Sequence, residues 1–193
     1  MTPSPFPTQA TPGSIPPFSV GIEGGFLPLV DLRGTPVGAL SLLDPLECDE
    51  PEASGRRAAA ESPANRLIIF SGSFDPGSEQ FGWMPRVKAR FEAFATGVEE
   101  GMAARGGTSV IWPHAMGAIS DAPSLQTFLR TRQDRGWSFV FDPASLMTDA
   151  MRPLAQDHFV RLFDLLGSHH AAAIFVEDES TRHEWPQIGR AHV

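Results

Sequence analysis

The stretch Trp137-Ser-Phe-Val-Phe-Asp-Pro-Ala-Ser-Leu-Met147 decides the fold. Its first five residues are dominated by aromatic and β-branched side chains, the profile of a buried strand. Asp142-Pro143 then stops the strand, because proline cannot donate to a ladder, and leaves a carboxylate at the strand's C-terminal end. Helical periodicity lies on both sides. A buried strand between two helices, with an acid at its tip, is the repeating unit of an α/β protein. In such folds ligands bind outside the carboxyl ends of the strands.

Upstream, Leu67-Ile-Ile-Phe-Ser71 is a short apolar run of the kind found in parallel strands covered on both faces. Pro85 suits the first turn of a helix over about 86–104, where Val87, Phe91, Phe94, Ala95, Val98 and Met102 recur at three and four. Thr108-Ser-Val-Ile-Trp112 is the next strand, with Pro113-His114 at its tip. Asp121 and Pro123 open a helix carrying Leu125, Phe128 and Leu129, which Gly136 closes. Downstream, a helix over about 154–167 presents Phe159, Leu162, Phe163 and Leu166. Ala171–Val176 then forms a strand tipped by Glu177-Asp178-Glu179. Four strands alternating with three helices predict a parallel sheet with right-handed crossovers.

The region before Arg66 is harder to read. Residues 1–19 hold six prolines and read as a Pro-rich disordered tail, which leaves 20–193 as a single domain. Val37–Leu43, bounded by Pro36 and Asp44-Pro45, reads as a strand, and a shorter one lies within Ser19–Val30. Residues 44–65 read as a loop with one short helix near 54–61. Phe-Asp-Pro follows a strand twice, at 74–76 and 141–143, which points to shared strand-end chemistry.

Composition excludes several classes. A formal charge of -8 with no basic run argues against nucleic-acid binding. The single cysteine, Cys48, rules out an intrachain disulfide and a thiolate metal cluster, and its acidic neighbours predict a raised pKa. No apolar run is long enough to span a membrane, and the N-terminus lacks the features of a secretory signal, so the expected location is cytoplasmic. Gly-x-Gly-x-x-Gly, the Walker loop and Gly-x-Ser-x-Gly are absent.

A parallel sheet would gather Ser71, Asp75, Trp112, His114, Asp142, Glu177, Asp178 and Glu179 on one rim, with His183 and Glu184 close behind. Carboxylates and imidazoles converging there suit a divalent ion or an acid–base pair. Each also has a structural reading: Asp142 as a turn cap, His114 as a rim histidine, Glu177-Asp178-Glu179 as a solvated loop. His169-His170 falls on the opposite rim, where contact with a helix C-terminus accounts for it. Trp83, Trp137 and Trp185 read as packing residues, and Trp112 as a residue able to line a pocket.

Residues 67–179 resemble the sugar phosphate isomerase/epimerase family, the xylose-isomerase-like TIM barrels. The likeness rests on Ile-Ile-Phe-Ser-Gly72, Thr-Ser-Val-Ile-Trp-Pro-His114, Ser-Phe-Val-Phe-Asp-Pro-Ala-Ser-Leu146 and Ile-Phe-Val-Glu-Asp178, with Pro186-Gln-Ile-Gly-Arg190 beyond. It implies a (β/α) barrel, Mn²⁺ or Mg²⁺ as the ion in an active member, a small sugar or polyol as substrate, and Asp142 as a metal ligand. In an active enzyme with a rearranged rim, His114, Glu177 and Asp178 would join Asp142 as the catalytic set. Trp112 stands where the family places a metal-binding glutamate, and an indole cannot ligate the ion. A full barrel needs about 250 residues, and this chain has 193. The expectation is therefore a shortened or incomplete TIM-type (β/α) barrel with parallel strands and reduced or lost metal-dependent catalysis. A partner copy would cover its open edges. An active enzyme with a rearranged rim and a non-catalytic interaction protein are the alternatives.

Overall fold

The computed structural model describes residues 25–30, 36–74, 81–166 and 171–174. A six-stranded sheet runs in chain order: β1 (Phe26–Val30), β2 (Pro36–Ser41), β3 (Arg66–Phe70), β4 (Thr108–Trp112), β5 (Trp137–Phe141) and β6 (Ala171–Ile174). β2 through β6 pair in parallel, whereas β1 pairs antiparallel to β2, so the expectation of parallel strands holds for all but the first. Four helices connect the parallel strands: α1 (Pro51–Glu61), α2 (Pro85–Ala104), α3 (Ala122–Thr131) and α4 (Ala155–Leu166).

The strand order never reverses, so right-handed crossovers place every helix on the same face. The packing agrees. Leu67, Ile69, Ile111, Phe139 and Phe141 point into one core with Phe91, Phe94 and Val98 of α2, Leu125 and Phe128 of α3, and Leu162 of α4. Alternate residues face the other way and make a second apolar layer of Leu40, Ile68, Val110, Trp112 and Val140, to which no helix contributes among the described residues. The fold is an α/β sheet compatible with the barrel expectation. Among the described residues β1 and β6 remain edges.

α1 begins at Pro51, earlier than its sequence suggests, and its buried face is Ser54, Gly55, Ala58 and Ala59. These small residues lie against Gly97 and Gly101 of α2, and the two backbones nearly touch. A Cβ on Gly55 would sit 2.1 Å from the Phe94 carbonyl oxygen, and one on Gly97 2.0 Å from that of Glu52. A seam this close leaves no room for large apolar residues, so α1 shows no strong hydrophobic period. α4 is preceded by a 3-10 segment, Asp149–Leu154, and buries only Leu162 and Leu166 completely. Phe163, expected on its packed face, is largely exposed, although its ring edge meets Phe141 at 4.7 Å between centroids.

Cys48 is half-buried and its thiol lies 3.2 Å from the Asp44 carbonyl oxygen. Its pKa is raised, first by burial and then by the Asp44 charge, against a lowering hydrogen bond with Ser54. Among the described residues no helix is long and apolar enough to cross a membrane. The Pro-rich tail, Asp75, His169-His170, Glu177 to Glu179, His183, Glu184 and Trp185 lie outside the described residues.

Candidate functional site at the C-terminal rim

β3, β4 and β5 end side by side, and the three loops that follow them are joined by hydrogen bonds. Asp142 is 4% exposed. Its Oδ1 accepts from the backbone N–H groups of Ala144 (3.1 Å) and Ser145 (3.2 Å), the geometry of an Asp-initiated turn ahead of Pro143. Its Oδ2 accepts from the indole Nε1 of Trp112 on the neighbouring strand at 3.1 Å. Trp112 is 3% exposed and packs on Phe70, with centroids 5.1 Å apart, so it fills the rim rather than lining a pocket.

His114 continues the same network. Its backbone N–H lies 3.1 Å from both Ser71 Oγ and the Ile119 carbonyl oxygen. Its Nδ1 accepts from the Met116 N–H at 3.1 Å, which leaves the imidazole hydrogen on Nε2. Burial pushes this imidazole below the ordinary histidine range, and the Asp142 charge acts in the opposite direction. Ser71 Oγ donates to the Ile119 carbonyl at 3.3 Å, and the Ser71 carbonyl accepts from the Ala118 N–H at 2.8 Å. Ser145 Oγ lies 2.8 Å from the Pro113 carbonyl, and the Ser145 carbonyl accepts from Ala115 at 2.8 Å.

The structure therefore brings His114, Asp142, Trp112 and Ser71 together, while Glu177 and Asp178 lie outside the described residues. The arrangement does not suit a divalent ion. Both Asp142 oxygens are occupied by N–H donors, the adjacent position offers an indole, and the Nδ1 of His114 is engaged. Among the described residues no group of three or more His, Cys, Asp or Glu side chains could hold a metal.

Two features were not anticipated in the sequence. Asp44-Pro45 repeats the strand-end device of Asp142-Pro143: Asp44 Oδ1 accepts from the N–H two residues on, Leu46, at 2.8 Å, and Oδ2 from that of Ser73 at 3.0 Å. The dipeptide Asp-Pro after an apolar run was the available signal. Trp83, read as a packing residue, is instead 67% exposed and stacks on Phe81, because the turn ahead of α2 runs over the outside of the rim. A cleft of about 410 Å³ between α2 and α3, lined by Lys88, Glu92, Asp121 and Thr127 among others, lies on the helical side and contains none of the sequence-predicted site residues.

Comparison with protein-family models, with curated proteins and with solved structures finds no match.

Proposed function

We propose that this chain is a degenerate relative of the sugar phosphate isomerase/epimerase-like barrels, a binding or accessory protein with reduced or no metal-dependent catalysis. Its functional face is the C-terminal rim around His114. The sequential parallel strands and the helix-free apolar layer support a shortened barrel-type sheet. The observation that carries the loss of catalysis is the Trp112–Asp142 bond. The carboxylate best placed to ligate an ion already accepts three N–H groups, and its neighbour is an indole. A carboxylate engaged through both oxygens in this way holds loops in place.

Calorimetric titration with Mn²⁺ and Mg²⁺ tests the proposal, with no stoichiometric binding expected. Tight one-to-one binding that disappears in Asp142→Asn would overturn it.

One observation favours a second reading, an active isomerase or epimerase on a small sugar or polyol. With Nδ1 fixed by the Met116 N–H, His114 keeps its Nε2–H as a donor able to polarise a substrate oxygen. Glu177 and Asp178 would then complete the acid–base set. Silence across a panel of sugars and polyols, with and without Mn²⁺, would remove that reading. Exposed Val160 and Phe163 on α4 support a partner copy against the open edge. Sedimentation showing only monomer would count against that association.

A further inference from the structure

We draw no further inference here: the strongest candidate, the cleft of about 410 Å³ between α2 and α3, has its polar lining, apart from the exposed Lys88, engaged within the protein, with Asp121 and Ser124 capping α3, Thr127 and Thr131 bonded to their own helix and Glu92 paired with Arg132, and nothing in the structure shows what would occupy it.

Discussion

β5 begins and ends near the same chemical pair, an indole N–H on a carboxylate at 3.1 Å. At its start Trp137 Nε1 donates to Glu99 of α2, and at its end Asp142 accepts from Trp112. The surroundings differ. Glu99 also meets Arg135 at 2.8 Å and lies 3.6 Å from Arg132, a buried guanidinium that pairs with Glu92 and sits 4.4 Å over the Phe128 ring. Asp142 accepts only from neutral donors, two of them backbone amides, and among the described residues it forms no salt bridge. The first pair belongs to an ionic clamp between α2 and the α3–β5 connection. The second shapes three loops. The same contact supports stability at one rim and shapes the candidate site at the other.

Asp142→Ala is the most damaging way to break this contrast. It strands a buried indole N–H and two turn amides, and about 3 kcal/mol of stability should be lost in urea unfolding. Glu99→Gln should cost about 2 kcal/mol, because it leaves Arg132 buried with less compensation. Raising the salt should narrow the second deficit more than the first, since only the second is ionic. The indoles sharpen the comparison. Trp112→Phe should cost about 1.5 kcal/mol, whereas Trp137→Phe should cost about 0.5, because Glu99 keeps its arginines.

The smallest effect concerns pH. The folded state disfavours a charged His114, so the unfolded chain binds the proton more readily. Its contribution to stability is complete above the ordinary value of 6.5 and declines as pH falls below it. In Asp142→Asn the His114 resonance should titrate at lower pH still, because the charge that favours protonation is gone. An unchanged or higher midpoint in a histidine NMR titration would show that the two groups do not interact.

Strands and large helices were legible because their apolar residues recur at the right intervals: Leu67–Ile69, Val110–Trp112, Trp137 and Phe139–Phe141 are all buried as read. α1 was only half legible, since glycines and alanines pack by closeness and carry no hydrophobic period. At the site, Asp142 and His114 were found from strand ends. Whether a carboxylate there takes an ion or an indole depends on the neighbouring strand's register, which a linear sequence does not display. Trp83 was misread because an indole near a helix start looks like core, and only the path of the turn sends it outward.

The uninterrupted order of the strands bears on how the chain assembles during synthesis. Each strand from β2 onward pairs with the one made just before it. No strand among them waits for a partner made later than the next crossover, although each parallel pairing still closes a long loop, from Ala39 to Leu67 or from Arg66 to Thr108. As the chain leaves the ribosome the sheet can lengthen one strand at a time, each addition covering the edge left by the last.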